Sequence, residues 1–550
     1  MKRLERFLDT RFAWAIGLSC LFYFGIEVVY ILRLPLVMDE FQGASAVHRL
    51  FDQVPYLDFK PYKTVLGYYL ELPLMLLTDD PWQQIVFVKL GLALATSISI
   101  FFAARMLSRH FSTSAVFLAT VVLVSMSTFL ERSASLRVDM LTSLFGLFSL
   151  LFLMDRRLIV SGVLAGVSFL VSQKGVYFIF CAGSALGTHW LLHDRGRRAF
   201  VECLRFSASA LAPIGAYFAV WAVVASAGIV GHEVFVKNQS IAFTEMYEIR
   251  HYWFQTAARN PYFWIVTILS LGQLFVLRHR RPESFRDSIL LVYGGLLLGL
   301  CLWHKQPWPY FFVLVIPTCW VLIASFYHVE MQNPRGLSSG FLAILILLGV
   351  GFPAQRIPVV LARDNALQRS TVSVANQLMH EDETYLAGLS ILHAHRHAKR
   401  LGWLDARRLN RLSSESPLGL IETLEEERLK LVITNYRIRQ LPPALLDYLA
   451  GNYMPYVGNI LLFAPTIEEG TTHQDLSFAG RYRLVGSAGA TIEIDGELLQ
   501  SGETVQLTEG GHHFVASQPF RLRLSPEGVD LPSDPRLMDK GILFDDVYGY

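Results

Sequence analysis

Charge is scarce in this chain. Asp, Glu, Lys and Arg make up 17% of its 550 residues, against about 25% in an average soluble protein. The net charge of +2 leaves no basic surplus for nucleic acid, which is not expected as a partner. Cysteine is scarce too. Cys20, Cys181, Cys203, Cys301 and Cys319 all lie in or beside apolar runs, and none follows residue 319. The polar C-terminal third therefore cannot be a disulfide scaffold, and no paired-Cys spacing suggests zinc. The chain has no Gly-rich phosphate loop, no His-Glu-x-x-His pair and no nucleophile elbow, which leaves P-loop, zincin and α/β-hydrolase chemistry without their signatures.

Apolar residues, by contrast, make up 53% of the chain and aromatics 13%, with a mean hydropathy of +0.38. That is the composition of a polytopic membrane protein with a soluble part attached. The basic start (Lys2, Arg3, Arg6, Arg11) and the apolar run after it imitate a signal peptide. The run is too long for one and holds no small-residue cleavage site, so it reads as an uncleaved first span. Candidate spans cover residues 13–35, 83–104, 112–130, 137–154, 158–173, 175–192, 207–229, 261–277, 287–303, 308–326 and 338–355, about eleven at ~20 apolar residues each. Basic joints alternate along them: the N-terminus, Arg105 with Arg109, Arg156 with Arg157, Arg195 to Arg198, Arg278 to Arg281, and Arg335. Lys and Arg in short loops mark the cytoplasmic side. Residues 36–82, 131–136, 173–174, 230–260, 304–307 and everything after about 356 then lie outside. The expected setting is a bacterial inner membrane, with the N-terminus cytoplasmic and the C-terminal part periplasmic. Residues 63–77 look like a further span, but they are short and carry Glu71 and Pro73. A helix lying along the interface accounts for them better.

The character changes after residue 360. The division expected is a membrane domain over 1–360, an α/β domain over 361–472, and a β-sandwich-like module with a tail over 473–550. Strands are predicted at Thr384, Leu429 and Ile460, and helices over 416–428 and 442–453. In the last module Asp495-Gly496 and Gly510-Gly511 read as tight turns.

The outer segments carry the unusual charges. Met38-Asp39-Glu40 ends the first apolar run, and Asp58-Phe59-Lys60-Pro61-Tyr62-Lys63 follows. Acids at a membrane surface followed by lysines and tyrosines suit chemistry on a lipid-linked phosphate. They also suit a solvated helix end, because helix starts collect carboxylates. Lys60, Lys63, Arg137, Lys174, Arg250 and Lys305 fall on the same side, against the topological bias. Tyr247, Arg250, His251, Tyr252 and Trp253 form a basic-aromatic cluster that either covers a sugar or belongs to an interfacial belt. Asp139 is either a second-tier acid, like Asp58, or an ion-pair partner of Arg137. His393, His395 and His397 resemble a metal tract, but basic residues follow and no acid adjoins them. Asn238-Gln-Ser is a glycosylation sequon by pattern alone.

Taken in order, these segments resemble the polytopic glycosyltransferases of the GT-C fold, above all the lipid A aminoarabinose transferases and the protein O-mannosyltransferases. Met38-Asp39-Glu40 looks like their first outer-loop acidic motif. Lys63-Thr-Val-Leu-Gly67-Tyr68-Tyr69 is similar to their Lys-Pro-x-x-x-Tyr segment, with Thr64 in place of Pro. Arg137-Val-Asp139 resembles the start of their fourth span. The Gly-rich stretch from Gly162, ending in Gln173-Lys174-Gly175, resembles a span that closes on Thr-Lys-Gly. His304-Lys305-Gln-Pro-Trp-Pro309-Tyr310, with Pro317, resembles their late outer loop. The likeness covers residues 1–330, and its departures at residues 64 and 172–173 leave the sugar open.

The resemblance implies a sugar moved from a polyprenyl-phosphate donor to a lipid, glycan or protein acceptor outside the membrane. Nucleotide sugars stay in the cytoplasm, so an outward-facing enzyme needs a donor that crosses with the bilayer. Such transfer needs a base near the acceptor hydroxyl and cations near the departing phosphate. Asp39 is the expected base, with Glu40 and Asp139 beside it in the catalytic set. Lys63 leads the phosphate-binding candidates, followed by Tyr62, Arg137, Lys174, His304 and Lys305. Asp58, Tyr68, Tyr247, Arg250, His251 and Tyr310 are the candidates for sugar or acceptor. A single carboxylate base implies inversion. No cofactor is expected for certain; a divalent metal is left open but not indicated, and no metal ligands are proposed. Membrane lipids are the remaining partners. A transporter or flippase for a lipid-linked substrate, or a non-enzymatic glycan-assembly protein, is the alternative. Against transport, no repeat relates the two halves, and the charges gather at one edge rather than at mid-membrane.

Overall fold

Long apolar helices dominate the first two thirds of the chain. The computed structural model describes residues 2–61, 63–192, 195–237, 250–280, 284–332, 347, 349–351 and 354–532. The candidates Tyr62 and Tyr247, the Asn238 sequon, Arg335 and most of the 338–355 span lie outside the described residues. Among the described residues, six helices are long and apolar enough to cross a membrane: Thr10–Arg33, Pro81–Leu107, Gln173–Leu192, Arg197–Val224, Pro261–His279 and Phe285–Trp303. Thr113–Ser125, Asp139–Met154 and Leu158–Val171 are shorter apolar helices.

We label the helices α1 (Lys2–Arg33), α2 (Met38–His48), α3 (Leu66–Met75), α4 (Pro81–Leu107), α5 (Thr113–Ser125), α6 (Ser127–Arg132), α7 (Asp139–Met154), α8 (Leu158–Val171), α9 (Val176–Leu192) and α10 (Arg197–Val224). The outward faces of α1 and α10 are apolar, with Trp14 at 73% and Val223 at 89% exposed. Apolar patches of this extent need a lipid solvent. The interior is closed by the helix Ile316–Gln332, whose residues from Ile316 to Tyr327 are all buried, including the indole of Trp320.

The span expected over 112–130 is broken. Met126 is extended between α5 and α6, and Ser127 N donates to Asn260 Oδ1 at 2.9 Å. Asn260 Nδ2 donates in turn to Thr128 Oγ1 at 3.0 Å. A side chain from the distant joint between the helices His251–Arg259 and Pro261–Arg280 thus supplies the cap that the break requires. The 308–326 span likewise opens on a 3₁₀ segment, Pro309–Leu314, before its helix begins. Helix α3 has ten residues, about 15 Å of rise, half of a ~30 Å hydrocarbon core.

Helices α7 and α8 form an antiparallel hairpin. Ser149 Oγ and Ser161 Oγ each donate to the other's backbone carbonyl, and Ser168 Oγ donates to Thr142 O. Helix α10 packs on α8 at Gly162 and Gly166, where a methyl group would overlap the α10 backbone at Phe206 and Ala210. Small residues four apart allow this close approach.

Two compact units result. The first holds Met1–Leu34, Arg49–Asp79 and Gln83–Arg363. The second holds Pro35–His48, Asp80–Trp82 and Asp364–Tyr550. Within the second, a five-stranded sheet runs in the order β2-β1-β3-β5-β4, with β4 spanning Tyr453–Val457. Strand β1 (Thr384–Leu386) lies parallel to β2 (Arg396–His397) and β3 (Leu429–Ile433), whereas β5 (Ile460–Phe463) is antiparallel to β3. Two four-stranded antiparallel sheets follow. One joins the strands Thr491–Ile494 and Glu497–Gln500 through Asp495 and Gly496, whose φ values of 51° and 89° make the two-residue hairpin turn. The Gly510-Gly511 pair does not turn; it opens the strand Gly510–Ala516.

Candidate active site

Three segments of the first unit meet around one carboxylate. Asp139 is the first residue of α7, and its side chain is 4% exposed. Arg137 Nε donates to its Oδ2 at 2.9 Å and Lys174 Nζ to its Oδ1 at 2.6 Å. The hairpin brings these together, since the 3₁₀ turn Gln173–Gly175 follows the end of α8 beside the start of α7. A carboxylate in a first helical turn also complements the helix dipole. Of the two readings of Asp139, the geometry shows the ion-pair partner, with Lys174 as a second cation.

Both cations stand over the Tyr310 ring. The Arg137 guanidinium is 3.3 Å from its centroid and Lys174 Nζ is 5.1 Å away. Tyr310 is 8% exposed, which makes it a floor for cationic groups. Beside it His304 stacks on Phe311 at 4.1 Å, and its Nδ1 lies 2.9 Å from Tyr177 Oη. Burial, aided by Lys174, lowers the His304 pKa to about 3, although Asp139 acts the other way. At neutral pH His304 therefore offers hydrogen bonds, not charge. Lys305 is half-buried in the same loop.

Lys63 is held by its backbone. Tyr56, at the left-handed φ of 67°, donates from Oη to Lys63 O at 2.7 Å. Tyr217 Oη, from α10, lies 2.6 Å from Tyr56 Oη and accepts from Val65 N at 3.1 Å. Thr64 Oγ1 donates to Phe169 O, tying the same stretch to α8. Helix α3 then presses close, because a methyl group at Gly67 would overlap Val138 and Val171 O. Lys63 Nζ lies 5.2 Å from the Tyr68 ring centroid.

One turn after Gly67 comes Glu71, which is 1% exposed with no hydrogen-bond partner on either carboxylate oxygen. Burial pushes its pKa up to about 8; Lys63 and Arg137 oppose that shift, and Asp139 adds to it. Below pH 8 Glu71 therefore keeps its proton, and Asp139 is the ionised carboxylate of the group that Lys63, Arg137 and Lys174 complete. In the sequence Glu71 counts only as a reason against a span. A carboxylate inside an apolar helix was the available signal for a site.

The sign of the pH effect follows. Folding raises the Glu71 pKa from 4.5 to about 8. The folded state keeps a proton that the unfolded chain gives up, so this group's contribution to stability falls as pH rises between those values. Glu71→Gln is expected to flatten that slope between pH 5 and pH 8 in thermal unfolding, and an unchanged slope would show that another group is responsible.

The remaining candidates lie elsewhere. Asp58 is exposed, and its Oδ2 accepts from Val54 N at 2.7 Å, closing a local loop. Arg250 and His251 are exposed at the start of the helix His251–Arg259. The following residue, Tyr252, packs its ring 5.7 Å from that of Trp308. Asp39 and Glu40 belong to the second unit. Asp39 is half-buried in the first turn of α2. Glu40 is buried, and its Oε2 accepts from Val37 N at 3.0 Å, one arm of a capping box. Leu36 N donates to Gln368 Oε1 at 2.7 Å and Leu36 O accepts from Gln368 Nε2 at 3.0 Å, fixing this segment on the C-terminal part. The histidine tract is not helical: His397 lies in β2, and buried His393 packs its ring 5.3 Å from His48. Burial beside His48 and His395 lowers the His393 pKa to about 3. Among the described residues, no three His, Cys, Asp or Glu side chains are grouped to hold a metal ion.

No known protein family and no curated sequence matches the chain. Solved structures do. ArnT from Cupriavidus metallidurans, bound to undecaprenyl phosphate, is 14% identical with a TM-score of 0.55, over 81% of this chain and 97% of that one. Its apo state gives 13% and 0.54 over the same shares. The oligosaccharyltransferase of Archaeoglobus fulgidus, in its apo form, is 10% identical with a TM-score of 0.51, over 77% of this chain and 69% of that one. Identity this low speaks for architecture alone, and on that ground the chain is a multi-pass membrane protein of the GT-C fold.

Proposed function

We propose that the protein is an inverting glycosyltransferase that moves a sugar from a polyprenyl-phosphate donor to an acceptor hydroxyl on the extracytoplasmic face. The observation that carries this reading is the pair Arg137 and Lys174 around one ionised carboxylate, over the Tyr310 ring, with Lys63 close enough to act electrostatically on Lys174 and Glu71. It suits a phosphate monoester or diester. Arginine binds such a group bidentately and lysine as a point charge. ArnT, which shares the fold, binds undecaprenyl phosphate.

In the proposed step Asp39 accepts the acceptor hydroxyl proton while the hydroxyl oxygen bonds to the anomeric carbon. The bond from that carbon to the phosphate oxygen breaks, and polyprenyl phosphate leaves with both electrons. Cations fixed where the leaving charge develops contribute several kcal/mol in a dry site. Glu71 tunes the site, because its ionisation above pH 8 subtracts one positive charge from the cluster.

The test uses purified protein with a panel of labelled polyprenyl-phosphate sugars. The expected result is release of polyprenyl phosphate from at least one donor. Lys63→Ala is expected to raise the donor KM by roughly tenfold or more, the scale of one lost charge-assisted contact. Absence of release from every donor overturns the reading.

A further inference from the structure

At the opposite end of the α7–α8 hairpin from Asp139 lies a second basic site. Arg156, Arg157, Arg197, Arg198 and Arg205 line an open groove of about 780 Å³ between the starts of α8 and α10. Its floor is apolar, formed by Leu158, Ile159, Val160 and Val201, with Ile159 60% exposed. Among the described lining residues the one carboxylate is Glu202, which lies 3.5 Å from Arg156 and 3.6 Å from Arg198. The Arg156 guanidinium also sits 3.9 Å from the Phe285 ring centroid. Helix α7 has sixteen residues, so about 24 Å of helix separates this groove from Asp139.

A basic loop is what topology requires, and topology alone accounts for arginines there. It does not account for a groove with an apolar floor beneath five guanidinium groups. We infer that the groove binds an anionic membrane phospholipid, with its phosphate among the arginines and an acyl chain along Ile159 and Val160. Charge complementarity selects the headgroup, since five cations face one carboxylate. Guanidinium groups hold phosphate bidentately, and basic pockets between membrane helices bind acidic headgroups. This site is independent of glycosyl transfer.

The test is native mass spectrometry of the full chain in mild detergent, titrated separately with phosphatidylglycerol, phosphatidylcholine and inorganic phosphate. Phosphatidylglycerol is expected to bind, and Arg197→Gln with Arg205→Gln to weaken it by roughly tenfold, each change removing charge-assisted contacts. The matching pair Arg197→Lys with Arg205→Lys keeps the charge but not the bidentate geometry and is expected to bind more tightly than the Gln pair, which separates lost charge from lost folding. Equal binding of phosphatidylcholine, unchanged binding in the Gln pair, or displacement by millimolar inorganic phosphate overturns the proposal.

Discussion

Asp39→Asn is expected to lower sugar transfer by about two to four orders of magnitude, the usual contribution of a positioned general base. The amide keeps the size of the side chain and cannot take a proton. The effect should fall on kcat, because the step lost is proton removal from the acceptor. Donor binding is expected to stay within about twofold, since the phosphate cluster belongs to other residues. Glu40→Gln is the control. Glu40 accepts from Val37 N at 3.0 Å at the start of the same helix, so its loss is expected to cost about 1 kcal/mol of local stability and to change transfer far less. Single-turnover assays on a reactive donor decide the matter. Full transfer by Asp39→Asn removes Asp39 from the mechanism.

The second large effect is on stability. Asp139→Ala leaves Arg137 and Lys174 side by side without their shared carboxylate, in side chains only 17% and 25% exposed. Removing one partner of a buried pair costs about 3–5 kcal/mol, because the remaining charge keeps its desolvation cost without compensation. Chemical denaturation in detergent would register the loss. Asp139→Leu combined with Lys174→Met is expected to recover part of it, since the double change removes one stranded charge along with the acid. An Asp139→Ala protein of native stability and no activity would instead make Asp139 a reacting group.

The architecture was largely legible in the residues. Hydropathy and basic joints located the long helices, because a membrane span is a local property of about twenty residues. Asp495-Gly496 announced its turn, because both φ values are positive and the pair tolerates them. Arg137 and Asp139 are two residues apart, so their pairing was visible as one of two readings. The features that escaped depend on distant partners. The break at Met126 is capped by Asn260, 133 residues away from Ser127. Tyr56 and Tyr217 meet across 161 residues, and neither looks unusual in its own segment. Glu71 was visible as an oddity, but only packing reveals that both its oxygens are buried without a partner. Lys174 could be placed on the correct side of the hairpin, yet its contact with Asp139 is a tertiary fact.

The packing of residues 35–48 with the C-terminal part bears on how such proteins can be recombined. Cutting the chain near residue 364 yields an N-terminal fragment that still encodes Asp39 but lacks Gln368 and His393, the side chains that hold the segment at Leu36 and His48. A chimaera joined at that point would pair one parent's α2 with the other parent's docking surface. Exchange between relatives therefore has two natural crossover units. Both are discontinuous, and a viable hybrid carries the short inserts Pro35–His48 and Asp80–Trp82 along with the long C-terminal stretch.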